Sequence, residues 1–215
     1  MIALLPEGPV FAAFMIGVVV LVVSPGPDTL YVAARSLGQG RAAGLLATLG
    51  ISCGLLVHIT AAALGLAGLF QTWPLAYDVV RYLGVAYLLY LAWECFTGAE
   101  ASAAHPAATM PRAAMLRIFR QAVLTNVFNP KVALFFVAYL PQFADPARGP
   151  VGPQIALLGA IMVGMGLAYL VTIALTAGAL GERMRAYPGL RQAQRWLLGT
   201  TLGGLAIWLA WPERR

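Results

Sequence analysis

Asp28 and Lys131 are the residues of this 215-residue chain best placed to do chemistry, because of what precedes them. Asp28 follows Ser24-Pro25-Gly26-Pro27, and Lys131 follows Phe128-Asn129-Pro130, each inside an otherwise apolar stretch. Proline within a helix removes a backbone donor and clashes with the preceding turn, so each motif predicts a break. Pro27 and Pro130 suit the first position of the half-helix that resumes, and Asn129 is of a type that caps free N–H groups. Helix N-termini attract anions. A zwitterion brings a carboxylate for such a terminus and an ammonium that needs an acidic or carbonyl partner. Asp28 and Lys131 therefore read either as a zwitterion site or as a structural ion pair, and an intramembrane charge is a functional candidate by default.

Asn126, Asn129 and Gln142 supply hydrogen-bonding groups near the second motif, although asparagine also caps and Gln142 also suits an interface beside Pro141. His58 titrates in a range suited to a proton relay, with a cross-helix hydrogen bond as the alternative. Asp28 and His58 are thus the candidates for proton coupling. Tyr87, Tyr90 and Tyr139 suit either a pathway lining or packing, and Glu94 is expected to reach the interface. Cys53 and Cys95 stand in apolar stretches without metal or redox spacing, and read as packing residues. No Walker loop, HExxH or Gly-x-Ser-x-Gly is present, and His58 and His105 are the only imidazoles. The chain reads as a non-enzyme with no cofactor and no resident metal.

The elements that must position these residues are membrane spans. The chain is 60% hydrophobic and 10% charged, with mean hydropathy +0.80. Soluble domains carry about 25% charged residues. Ala42 to Tyr77 and Gly149 to Gly181 hold no Asp, Glu, Lys or Arg, and about 20 apolar residues span a bilayer core. The first span, 10–23, is short and resumes after the break over 29–37. A second lies within 42–70, a third over 74–93, and a polar loop covers 97–110. The fourth, 112–127, breaks at 128–131 and continues over 132–140. A fifth falls within 151–180, and a sixth over 196–211, with Tyr187, Trp208 and Trp211 suited to interfacial belts. Residues 1–23 lack the basic start and cleavage site of a signal peptide and are expected to remain as the first span.

A shift of 103 positions sets Pro27 on Pro130, Asp28 on Lys131, Leu37 on Leu140 and Gln39 on Gln142. Interrupted segments at corresponding places in two halves are a signature of transporter repeats. The fold expected is all-α and polytopic, with about six transmembrane helices as two inverted three-helix repeats, and helices one and four broken at proline motifs. One domain covers 1–215, with repeat one over about 1–96, a cytoplasmic loop over about 97–111 and repeat two over about 112–215. Arg35, Arg41, Arg112, Arg117, Arg120, Arg183, Arg185, Arg191 and Arg195 fall on one side, which marks it as cytoplasmic. Arg81, Arg148, Arg214 and Arg215 fall on the other, so both termini are expected to be periplasmic. The net charge of +6 forms no patch with interleaved aromatics, which argues against nucleic acid. Gly50-xxx-Gly54 and Gly199-xxx-Gly203 allow close helix contact, in a homodimer face or within the chain.

Ser24-Pro25-Gly26-Pro27-Asp28-Thr29, Gly38-Gln39-Gly40-Arg41 with Gly44 leading to His58, and Asn129-Pro130-Lys131 through Phe135-Phe136 to Leu140-Pro141-Gln142-Phe143 together resemble the LysE/RhtB exporter family. Tyr82-Leu83-Gly84 to Tyr87-Leu88-Leu89-Tyr90-Leu91 is also similar to that family's third span, so the resemblance covers essentially the whole chain. It implies proton-coupled efflux of amino acids across the bacterial inner membrane, with Pro25, Gly26, Pro27 and Pro130 near the pathway. The alternatives are efflux of a metal cation or another small metabolite by the same fold, or a membrane enzyme or scaffold. A metal cargo predicts several inward carboxylates, thiols or thioethers, and only Asp28 is so placed.

Overall fold

The computed structural model describes residues 4–65, 74–97 and 111–184, together with 192, 196, 199–204, 206, 207 and 210. His105, Arg185, Tyr187, Arg191, Arg195, Trp208, Trp211, Arg214 and Arg215 lie outside the described residues, as do most of the loop over 97–110 and the side chains of Asp78 and Arg81.

The described chain is helical throughout. Helix α1 (Gly8–Val23) ends at the first proline motif and α2 (Pro27–Gln39) continues after it, bent by 45°. Gly40, at φ 95°, then turns the chain into α3 (Arg41–Ala63), a conformation that glycine takes without a Cβ penalty. Helix α4 (Pro74–Thr97) is followed by α5 (Arg112–Val127), a break at Phe128-Asn129, and α6 (Pro130–Leu134). The helical path continues beyond α6 as one π turn (Phe135–Tyr139) and a 3-10 turn (Leu140–Phe143), and this second pair is bent by 44°. A short 3-10 turn (Pro146–Arg148) leads to α7 (Val151–Met184). Helix α3 and the first 33 residues of α7 are each long and apolar enough to cross a membrane, and each bent pair passes the same test as one broken span.

Helix α3 is the hub, packed against α2, α5 and α7. Its glycines set the spacing: an added Cβ at Gly50 would stand 2.6 Å from Ala122 Cβ and the Phe119 carbonyl, and one at Gly54 would stand 2.7 Å from Asn126 Cβ. Gly199 likewise faces the Phe96 ring of α4. Both Gly-xxx-Gly pairs are therefore seams within the chain. Phe14, Val18, Val32, Ile51, Phe136 and Leu158 form the buried centre. The outer faces are apolar too, with Ile16 66%, Leu64 74% and Trp93 67% exposed. Lipid, rather than water, is the solvent that such a surface suits. The molecule is an all-α polytopic membrane protein with two broken helices.

At one end, Arg35 and Arg117 reach toward α5 and α4, and Arg41 pairs with Glu182 at 3.3 Å. At the other, Arg148 donates to the Leu5 carbonyl and pairs with Glu7 and Asp145. Arg41 and Arg148 thus pair at different helix termini.

Candidate functional site

The two breaks expose backbone groups that need partners, since the last carbonyls of a helix have none within it. At the end of α1, Lys131 Nζ donates to the Leu21 carbonyl at 2.8 Å and the Ser24 carbonyl at 2.5 Å, and Tyr169 Oη reaches the Val23 carbonyl at 3.5 Å. A cation there is also favoured by the helix dipole. At the end of α5, the Asn126 carbonyl accepts from the Asn129 N–H at 2.9 Å and makes a 3.1 Å contact with His58 Nε2. Asn129 Oδ1 accepts from the Lys131 N–H at 3.1 Å, capping α6. His58 is held by Phe136, stacked on it with centroids 5.6 Å apart.

Asp28, in the first turn of α2, is the counterpart of Lys131 in the first turn of α6. Asn126 Nδ2 donates to Asp28 Oδ2 at 2.8 Å. Each break is thus braced from the other half of the chain: Lys131 holds the end of α1, and Asp28 holds Asn126 near the end of α5. Asp28 and Lys131 do not form an ion pair with each other among the described contacts. Among the described residues Asp28 Oδ1 is buried with no hydrogen bond of good geometry, the Asn129 side chain also acting on this carboxyl, and Asn126 Oδ1, on the Gly54 side of its amide, is likewise without a partner.

The orphaned oxygen belongs to a residue lining a cavity of about 50 Å³ between α1, α2, α3, α6 and α7. Its polar side is Ser24, Gly26, Asp28, Thr29, Asn129 and Lys131. Its apolar side is Leu21 and Val22 of α1, Ile51 and Leu55 of α3, Val132 of α6, and Met162 and Leu170 of α7. No side chain caps the α2 N-terminus, and an ammonium has three donors, two of which Lys131 spends on α1. Negative, positive and apolar surfaces therefore meet in one small space.

Of the predicted residues, Gly26, Asp28, Asn129 and Lys131 line this cavity. Pro25 and Pro27 shape the first break and Pro130 the second, while Asn126 stands one contact behind Asp28 and His58 one contact behind Asn126. Gln142 lies apart: its side chain is exposed and donates to the Ala138 carbonyl at 2.5 Å. Tyr139 donates to the Ala13 carbonyl at 2.9 Å and packs over Gly17, which places it at the α1 seam.

The sequence profile of the family described as LysE type translocator matches residues 19–212. The chain belongs to that family. Among relatives of this translocator, an uncharacterized membrane protein of Pseudomonas aeruginosa is 34% identical over 93% of this chain and 91% of its own length. A leucine efflux protein of Salmonella typhimurium is 30% identical over 92% of each chain, and one of an Enterobacter species is 28% identical over 93% and 94%. No solved structure matches.

The translocator also holds a second polar cluster that its sequence does not announce. Glu94, expected at the interface, is 4% exposed. It accepts from Gln121 Nε2 at 3.0 Å and Tyr90 Oη at 2.5 Å, and it pairs with Arg117. Gln121 Oε1 accepts from Arg35 at 2.5 Å, and Arg35 also donates to Tyr31 Oη at 3.0 Å. Tyr87 Oη donates to the Gln121 carbonyl at 3.0 Å. This cluster ties α2, α4 and α5 together near the arginine-bearing end. The one signal available in the sequence is that Glu94 and Gln121 stand within or beside apolar stretches, where an unpaired polar group is costly.

Proposed function

We propose that this protein is a secondary transporter of the bacterial inner membrane that exports amino acids with aliphatic side chains. The observation that carries this reading is the orphaned Asp28 Oδ1 in a residue lining a cavity that also has a cation and an apolar wall. A substrate ammonium satisfies Asp28 Oδ1. Its carboxylate takes the remaining Lys131 N–H and the uncapped N-terminus of α2, a terminus that favours anions. The side chain lies against Ile51, Leu55, Val132, Met162 and Leu170. The names of the leucine efflux relatives agree with this chemistry.

A cavity of about 50 Å³ holds a few waters rather than a leucine. Loading therefore requires α1 and α7 to part, and the long 3.5 Å contact of Tyr169 with the Val23 carbonyl is a weak point in that seam. The two halves of one domain, each with a broken helix, rock about this site in alternating access. Asp28 exchanges substrate ammonium for a returning proton, with His58 coupled to it through Asn126. The arginine-bearing end is cytoplasmic and both termini are periplasmic.

The test is efflux from cells preloaded with labelled amino acids, with and without the protein, and with and without a protonophore. Selective loss of leucine or a similar amino acid, slowed by the protonophore, is expected. Verified expression in the membrane with no efflux of any amino acid overturns the proposal.

A further inference from the structure

Helix interiors disfavour glycine relative to alanine, so an interior glycine calls for a reason. In this protein the reason is usually a close crossing. An added Cβ at Gly50, Gly54, Gly84, Gly159, Gly178 or Gly181 would come within 2.3 to 2.7 Å of an atom of another segment. Gly166, in the middle of α7, has no such reason. It is buried, yet among the described residues no heavy atom of another segment stands within 4 Å of where its Cβ would be. The space beside it is the cavity, which it lines together with Met162, Tyr169 and Leu170. These residues are spaced i, i+4, i+7 and i+8, one face of a helix. Gly166 thus leaves a gap in an otherwise bulky wall.

We infer that Gly166 is the specificity-determining residue of the site: the gap it leaves receives the end of the substrate's aliphatic side chain and sets the longest side chain exported. This rests on the amino-acid reading above. The polar contacts at Asp28 and Lys131 are common to every α-amino acid, so they cannot distinguish alanine from leucine. That choice falls to the apolar wall, where the contour is set by what each residue does not fill. A methyl group at Gly166 meets no atom of the described residues, so Gly166→Ala leaves their packing intact while occupying the gap. Gly164, two residues away, has an equally open Cβ position but is exposed and does not line the cavity.

The experiment measures efflux of labelled alanine, 2-aminobutyrate, norvaline and leucine from preloaded cells carrying wild type, Gly166→Ala, Gly166→Val or Gly164→Ala, at matched membrane abundance. One methylene in an apolar pocket changes discrimination by roughly 10- to 200-fold. Gly166→Ala is expected to lower leucine efflux at least about tenfold relative to the shortest side chain that the wild type exports. Gly166→Val is expected to shift the cut-off further, with Gly164→Ala unchanged. If both Gly166 variants keep the wild-type profile, or lose all members of the series equally, the assignment is wrong although the export reading stands. If the wild type exports none of the series and no other amino acid, both fall together.

Discussion

Gly54→Ala is a sharp probe of the site because it adds one methyl at a point where none fits. The new Cβ would stand 2.7 Å from both Asn126 Cβ and Asn126 Oδ1. Carbon atoms in contact prefer about 3.5–4.0 Å, so α3 and α5 must separate by about 1 Å. Asn126 cannot swing clear, since one clashing atom is its Cβ, next to the backbone. The shift acts on the 2.8 Å bond from Asn126 to Asp28 and on the 3.1 Å contact with His58, and stretching either by a full ångström breaks it. Overpacking of this kind costs about 1–3 kcal/mol, and each kcal/mol lowers Tm by about 2–4 °C in a chain of this size. The purified protein in detergent is therefore expected to melt about 2–12 °C lower. Efflux should fall by more than the loss of folded protein explains, because Asp28 loses the Asn126 donor. Gly164→Ala, at an open and exposed position, is the control. A Gly54→Ala protein with wild-type Tm and wild-type efflux would refute the coupling of this seam to the site.

Lys131→Met removes two charge-assisted bonds to α1, each worth about 1.5–3 kcal/mol, and is expected to lower Tm and abolish efflux, whereas loss of efflux at unchanged Tm would show that Lys131 acts on substrate alone. Asp28→Asn still accepts from Asn126, so Tm should stay within about 2 °C while efflux falls at least about tenfold, measured in the same preloaded cells. Glu94→Leu leaves the buried Gln121 Nε2 without its acceptor, and a loss of about 1–3 kcal/mol is expected in thermal melting; a stable variant would mean that water replaces the carboxylate. Gln142→Ala should leave efflux and Tm unchanged, since that side chain is exposed and bonded only to the Ala138 carbonyl among the described contacts.

Much of the architecture was legible because prolines and glycines act locally. Pro25, Pro27 and Pro130 fall at the two bends, α5 spans 112–127 as its composition suggests, and Gly50 and Gly54 sit at a close crossing. Asp28 and Lys131 were recognisable as a pair from their matched positions after the breaks. Their partners were not, because an ion pair and two separate braces look alike in sequence. The alternative realised depends on where α1 ends relative to α6, which is a matter of packing. Glu94 escaped the sequence reading for a similar reason. A charge near a helix end ordinarily reaches the interface, but Glu94 meets Arg117 and Gln121, 23 and 27 residues away. Gly166 gave no signal at all, since an unfilled space is visible only once its walls are in place.

The reciprocal bracing of the two breaks has a bearing on how the protein is made. Chains emerge from the ribosome at about 5–20 residues per second, and 103 residues separate Asp28 from Lys131. For about 5–20 s, therefore, the α1 carbonyls and the Asp28 carboxylate are synthesised but have no partner. During that interval the first break must stay wet, at the membrane surface or in the insertion machinery, because hydrocarbon would leave it unsatisfied. Once Asn126 and Lys131 are made, they take over from water as partners of Asp28 and of the α1 carbonyls.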